Sequence, residues 1–317
     1  MRRAGGLTCD SPGLVPGHPD AQRTPNTGCR PVIMNGMSEG PGYELIDFGG
    51  GARLERFGRR IVDRPHPGAL GSRGEVEGWR TADLRFDRDR GWTGPATGEA
   101  SWVFGHEGLT LELRTTDAGG VGLYPEHLGA LPWLGARVGE RTAAGRSISV
   151  LNLFASTGLA TLAMSAAGAA VTHVDASRPT VAWARRNAQL SGLAERPVRW
   201  IVDDAMAFTR RESRRGRRYA GIVLDPPTYG HGPGARPWRL EDDLPSLLGA
   251  CAGVIERDGF LLLTSHTPGV DAERMANQLR DALGRPRGAV DGGALTVATR
   301  DDRRLDLGVF VRVAGGA

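Results

Sequence analysis

From Ser147 onward the chain repeats one unit, in which a short apolar run is followed by a turn and then by a stretch with helical spacing. SISVLNLF (147–154) leads through the turn ASTG into LATLAMSAA. AAVTHVDAS (169–177) leads into RPTVAWARRNAQLSG, an amphipathic pattern closed by Gly192. VRWIVDD (198–204) precedes a short helix through Glu212, and YAGIVLD (219–225) precedes a helix over 240–256. GFLLLTSH (259–266) precedes a last helix over 270–284, after which ALTVATR and LGVFVRV read as a closing antiparallel pair. Apolar runs without strict alternation belong to strands buried on both faces, so the pattern predicts an α/β fold: a doubly wound, seven-stranded sheet. Right-handed crossovers then bring the carboxyl ends of the parallel strands to one crevice, where ligands bind.

Upstream the pattern is different. Residues 1–40 are rich in Pro, Gly and Arg and lack apolar periodicity, so they read as a disordered tail, with Met34 or Met37 as alternative starts. Residues 41–120 read as a small β-rich domain: alternating residues flank Gly49-Gly50-Gly51, a hairpin signature, and SWVFGHE (101–107) and LTLELRTT (109–116) are further strands. Its Trp79, Trp92 and Trp102, set among arginines, suit either a binding surface or a core. Residues 121–146 connect it to the repeating region, 147–317.

Composition narrows the classes. Charged residues make up 24% and hydrophobic ones 40%, within the ordinary globular range. Every cationic residue is arginine, and the net charge of +4 permits a polyanionic partner without requiring one. Residues 150–174 carry no formal charge, but their interspersed polar and glycine residues fit strand, turn, helix and strand better than a membrane span. No apolar run follows Arg2 and Arg3, so no secretory signal is expected. Cys9, Cys29 and Cys251 form no CxxC pair and no Cys/His cluster of zinc spacing. Neither a disulfide framework nor a metal is therefore expected, and a cytoplasmic setting fits.

The strand ends carry the chemistry. The first turn, Phe154-Ala155-Ser156-Thr157-Gly158, has one glycine where a dinucleotide site has GxGxxG, so it offers no cradle for a pyrophosphate. Asp175 closes the second strand, 17 residues past Gly158, where a carboxylate can take both ribose hydroxyls. Asp203 and Asp204 close the third strand, within reach of an adenine amine, and Asp225 closes the fourth inside LDPPTYGHGP (224–233). One strand-end Asp is usually a helix cap, but acids on three successive strands around one crevice point to an adenosine-type ligand with a positive centre, S-adenosylmethionine.

The order NLFASTG, HVDAS, VDDAMAF and LDPPTYGHGP, with GYELIDFGGGARLERFG (42–58) and GVGLYPEH (120–127) upstream and WRLEDDLPSLLGAC (238–251) downstream, resembles the class I S-adenosylmethionine-dependent methyltransferases. Within them it is most similar to the family related to the bacterial 23S ribosomal RNA large-subunit methyltransferases, over about residues 42–313. The resemblance implies a Rossmann-like methyltransferase sheet with S-adenosylmethionine as cofactor. It gives Phe154, Ala155, Ser156, Thr157 and Gly158 to the methionine part, Asp175 with Ala176 to the ribose, and Asp204 with Ala205 to the adenine. Tyr124 belongs to the covering segment, and Asp225, Pro226 and Pro227 stand beside the transferable methyl. Ser156 departs from the aromatic residue common in relatives.

Asp225, Pro226, Pro227 and Tyr229 suit a flipped planar base, with the carboxylate and backbone carbonyls accepting from an amine and Tyr229 stacking. Methylation at cytosine carbon 5 needs a thiolate nucleophile. Some relatives place such a cysteine just after the fifth strand, where this chain has Thr264-Ser265-His266-Thr267. Cys251 reads as core, methylation at nitrogen is the better fit, and His266 suits either a base or a structural contact. The six arginines of RRESRRGRR (210–218) read as an RNA grip or as a solvated loop. The expectation is a base methyltransferase acting on RNA, most naturally ribosomal RNA, as a monomer or homodimer. A protein or small-molecule substrate, or a non-catalytic RNA-binding module, are the alternatives.

Overall fold

The computed structural model describes residues 42–230, 237–286 and 288–315. The 1–40 stretch with Cys9 and Cys29, and His231 to Pro233 of the DPP motif, lie outside the described residues. The first five strands, β1 (Tyr43–Gly49), β2 (Ala52–Phe57), β3 (Arg60–Pro65), β4 (Leu84–Asp87) and β5 (Gly91–Thr93), form one sheet in chain order. A single turn of helix, α1 (Gly78–Thr81), lies before β4. The β1–β2 hairpin turns on Gly50 and Gly51, at φ 57° and 77°, the left-handed pair that a two-residue turn between twisted strands requires. Inside this sheet Glu55 is fully buried, and its Oε2 accepts from Arg64 Nε (2.8 Å) and Nη2 (2.6 Å) while Oε1 accepts from Tyr43 Oη (3.1 Å). A buried carboxylate is tolerated only when paired in this way. The three tryptophans are structural: their indole N–H groups donate to Asp47 Oδ2 (Trp79), the Thr116 carbonyl (Trp92) and the Phe57 carbonyl (Trp102).

A second hairpin, β6 (Trp102–His106) and β7 (Leu109–Leu113), precedes a 3-10 turn over Pro125–Ala130 and α2 (Leu131–Ala143). Then follow β8 (Ser149–Leu153), α3 (Leu159–Ala166), β9 (Ala170–Asp175), α4 (Arg178–Leu190), β10 (Val198–Val202), α5 (Ala205–Arg214) and β11 (Tyr219–Leu224). A two-residue ladder, β12 (Tyr229–Gly230) with β13 (Trp238–Arg239), leads to α6 (Leu240–Ala252), β14 (Ile255–Ser265), α7 (Ala272–Leu283), β15 (Val290–Ala298) and β16 (Arg304–Val313).

The seven-stranded sheet runs β10-β9-β8-β11-β14-β16-β15, parallel through β14 and antiparallel over the last pair. The predicted helix over 240–256 ends earlier, at Ala252: Gly253 caps it and the chain re-enters the sheet at Ile255, which pairs with Tyr219. Alternation along the strands explains their apolar runs. Val150, Val223 and Leu262 face one core with Leu134 of α2, Leu162 of α3 and Ala188 of α4. Leu151, Ile222 and Leu261 face the other with Phe208 of α5, Leu247 of α6 and Leu279 of α7. Both sides of each strand are thereby covered. The uncharged 150–174 segment is β8, α3 and β9 of this sheet, and among the described residues no helix is long and apolar enough to cross a membrane.

Chain order reverses between β8 and β11, which pair directly, so a crevice opens at their carboxyl ends. Gly221 sets how closely β11 approaches β14, because a Cβ there meets the Phe260 ring at 2.1 Å. Gly221→Ala should destabilise the fold by about 1–3 kcal/mol through overpacking, read as a lowered thermal midpoint. An unchanged midpoint refutes this tight fit.

His173 on β9 is fully buried beside Trp200, and Thr161 Oγ1, which accepts from Asn152 (2.8 Å), reaches its Nδ1 at 3.0 Å. Burial, reinforced by the positive Arg185, pushes its pKa from 6.5 down to about 3. The unfolded chain therefore takes up a proton at this residue below about pH 6.5 that the folded chain refuses until about pH 3. Stability should fall by about 1.4 kcal/mol per pH unit as pH drops through that window. In denaturant titrations at several pH values, His173→Asn should remove about one proton's worth of this slope, and an identical slope refutes the assignment.

Candidate active site

The crevice is a cleft of about 620 Å³, lined by strand-end residues from β8, β9, β10 and β11 together with Tyr124, Trp238 and His266. That volume lies in the range of small-molecule sites. It adjoins a smaller, mostly apolar recess of about 50 Å³ that reaches Leu134 and Leu262.

The turn after β8 carries unusual backbone: Phe154 (φ 53°), Ser156 (φ 49°) and Gly158 (φ 94°) are all left-handed. Non-glycine residues hold such angles only where the surroundings over-determine them. Here the Asp175 carboxylate does so, with Oδ2 accepting from Ser156 N (2.9 Å) and Oδ1 from Ser177 N (2.9 Å). Thr157 Oγ1 donates to the Gly122 carbonyl (2.6 Å), and buried Asn187 of α4 donates to the Thr157 carbonyl (2.9 Å) while accepting from Glu112 N (2.8 Å). Gly122 must be glycine, since a Cβ there meets the Trp183 ring at 2.3 Å. The turn is thus bound to β9, α4 and the segment preceding the 3-10 turn.

Most of the other sequence-derived residues line the same cleft. Ala176 is exposed beside Asp175, and Ala205 is buried in the first turn of α5. Asp204 caps α5 through Oδ1, which accepts from Ala207 N (2.7 Å), so here the cap role and the cleft position coexist. Asp203 pairs with Arg211 of the arginine run, Arg215 with Glu212, and Arg218 donates to the Gly253 carbonyl (2.6 Å). Several arginines of that run therefore have partners within the chain, Arg211 with an acid that lines the cleft and Arg215 and Arg218 near the amino end of β11. Pro226 is buried and Pro227 exposed, and the Pro227 carbonyl accepts from Trp238 Nε1 (2.7 Å). Tyr229 is 72% exposed and lines a neighbouring depression with Arg239 and Leu240 rather than this cleft, whereas the ring beside the first turn is Trp238, 5.5 Å from Phe154. Cys251 is fully buried in α6, where burial pushes its thiol up to about 12.

Asp225 stands at the centre of a cluster that spacing along the chain does not reveal. Its Oδ1 accepts from Thr264 Oγ1 (2.6 Å) and lies 3.3 Å from His266 Nε2, while Oδ2 lies 3.6 Å from His127 Nε2. The two Nε2 atoms are 3.2 Å apart. Burial raises the Asp225 pKa, but His127 and His266 overcome it and hold the carboxyl down at about 2. Burial likewise lowers His266, and the bond and charge of Asp225, with Glu126 behind, raise it to about 9. His266 Nδ1 meets the Leu307 carbonyl at 2.9 Å and Glu126 Oε1 at 3.2 Å, and Tyr124 stacks on its ring at 5.7 Å. His127, Glu126, Thr264, Trp238 and Asn187 were not singled out by sequence reasoning. His127 and Glu126 lie within GVGLYPEH, and that segment was the available signal.

No family model matches the chain. Two curated relatives are each 31% identical to it, both ribosomal RNA large subunit methyltransferases K/L. For that of Magnetococcus marinus the match covers 50% of this chain and 21% of the relative. For that of Methylococcus capsulatus it covers 53% and 24%. The chain thus spans about a quarter or less of their length. The crystal structure of a SAM-dependent methyltransferase from Agrobacterium tumefaciens superimposes with a TM-score of 0.80 at 36% identity, over 86% of this chain and 90% of that one. Coverage of that extent at that identity goes beyond shared architecture, and the chain belongs to the class I S-adenosylmethionine-dependent methyltransferases, with a likeness over about half of its length to the ribosomal RNA large subunit methyltransferases.

Proposed function

We propose that this methyltransferase modifies a base in RNA, most naturally ribosomal RNA, without a cysteine nucleophile. The observation that carries this reading is the cleft at the β8/β11 switch point, around which Asp175, Asp204 and Asp225 close three strands. The likeness to two ribosomal RNA large subunit methyltransferases supports RNA as substrate. The buried Cys251 thiol, held protonated near neutral pH, supports a mechanism that does not use it.

S-adenosylmethionine, when bound, supplies a methyl group on a positively charged sulfur. The one-glycine turn and the anionic walls fit such a ligand, which has no pyrophosphate to cradle. The turn Phe154 to Gly158, with Tyr124 opposite, would hold the methionine part beside the apolar recess. Asp175 would take the ribose hydroxyls on the remaining lone pairs of its two oxygens, since each already accepts one backbone N–H. Ala176 and Ala205 leave room beside Asp175 and Asp204 for the nucleoside, the second carboxylate facing the adenine amine. Asp225, anionic above about pH 2, favours the cation and would orient the acceptor atom for in-line attack. Pro226 and Pro227 fix the chain's exit from β11, and Tyr229 and Trp238 offer rings for a planar substrate.

Isothermal calorimetry with S-adenosylhomocysteine tests the cofactor assignment. Asp175→Ala should weaken binding at least about 100-fold, because two charge-assisted bonds and the anchor of the turn are lost together. Unchanged affinity refutes the role. Asp225→Asn should cut turnover about 100-fold while changing that affinity far less, and equal losses in both place it away from the methyl. Nucleoside mass spectrometry of ribosomal RNA from cells with and without the gene should reveal one methylated base that disappears with the gene. Identical profiles, with methylation of a protein or small molecule instead, overturn RNA as the substrate.

A further inference from the structure

We propose that His127, Asp225 and His266 form a binding site for one zinc-class divalent cation, with its fourth coordination position open to the cleft. The three residues come from the 3-10 turn, the end of β11 and the end of β14, and their ligand atoms converge within 4.8 Å. A tetrahedral centre with bonds of about 2.0–2.2 Å requires its ligand atoms to stand about 3.3–3.6 Å apart. The separations here are 3.2 Å between the Nε2 atoms, 3.3 Å from His266 Nε2 to Asp225 Oδ1, and 3.6 Å from His127 Nε2 to Asp225 Oδ2, so the carboxylate turns one oxygen to each imidazole. Two imidazoles and one carboxylate are a ligand set of catalytic zinc sites, which keep one position for water or substrate.

The surroundings of His266 point the same way. A carbonyl only accepts, so the 2.9 Å contact with Leu307 O puts a proton on Nδ1. In the neutral ring Nε2 then carries the lone pair, aimed at Asp225 and at the second imidazole. Glu126 stands behind the same Nδ1 at 3.2 Å with its side chain 4% exposed, and its Oε2 is buried without a hydrogen-bond partner among the described residues. Carboxylates and backbone carbonyls behind the outer nitrogen are how metal-bound histidines are oriented. Thr264 Oγ1 fixes the rotation of Asp225 from the far side. Asp225, His127 and His266 are each 20–28% exposed at their side chains, so exchange from the cleft is open.

This deepens the methyltransferase reading and rests on it for its use. A cation at this point would bind an ionisable oxygen or nitrogen of the acceptor, lower its pKa and aim it at the methyl. Asp225 would then act as a ligand rather than as the acceptor of an amine proton, the role inferred from the DPP motif alone.

The test is metal analysis of the untagged full chain, equilibrated with zinc and then gel-filtered, beside calorimetry with S-adenosylhomocysteine. About one zinc per chain is expected, with intense tetrahedral bands in the visible spectrum after cobalt substitution. His127→Ala and His266→Ala should each lose that metal and those bands, and Glu126→Gln should weaken zinc affinity about 10–100-fold. Should the alanine variants not fold, the wild-type stoichiometry and the Glu126→Gln shift decide. A wild-type chain that takes up no zinc overturns the proposal, as does zinc retained by both histidine variants, which assigns the metal to another part of the chain. Zinc uptake without affinity for S-adenosylhomocysteine leaves the metal site standing and removes the cofactor reading.

Discussion

The Asp175 carboxylate is the interaction on which the cleft depends. It crosses from the end of β9 to the turn after β8 and takes one backbone N–H on each side, from Ser156 and Ser177. It adds to the Ala155 N–Val174 O bond in holding Phe154 and Ser156 in left-handed backbone, a conformation that costs non-glycine residues about 1–3 kcal/mol each. With it the turn lies open beside the strand ends, and Thr157 can reach Gly122 while Asn187 holds it from α4. One side chain therefore serves as a structural clamp and keeps lone pairs facing the cleft.

The second organising element is electrostatic. Asp225 lies in surroundings that penalise charge, yet its carboxyl stays ionised because two imidazoles and one hydroxyl converge on it. Glu126 answers from behind His266, so negative and positive groups alternate from the 3-10 turn through β14 to the end of β11. Such an arrangement is costly unless complete, since removing one partner leaves buried charge uncompensated.

The order of elements from Ser147 to Val313 was legible because it rests on local regularities: period-2 and 3.6-residue patterning, glycine stops, and proline exits. The clearest boundary departure, α6 ending before Gly253 and not at 256, came from strand pairing, as Ile255 is drawn into register with Tyr219. The five-stranded sheet was legible as a hairpin with loosely defined strands. Its order was not, because β3 and β4 join in parallel across a long connection. The tryptophans and arginines there permitted a binding surface, and only their donors' partners, Asp47 and two carbonyls, identify the indoles as structural.

By itself the sequence determined the α/β alternation, the acids at three strand ends and the absence of a pyrophosphate cradle, because each is a property of a few consecutive residues. Tertiary structure alone decided that Trp238 rather than Tyr229 adjoins the first turn, and that residues 127, 225 and 266 meet. Their meeting depends on β11 lying between β8 and β14 and on the 3-10 turn folding over the strand ends. That arrangement follows from crossover handedness and from packing over both faces of the sheet, which no local pattern along the chain encodes.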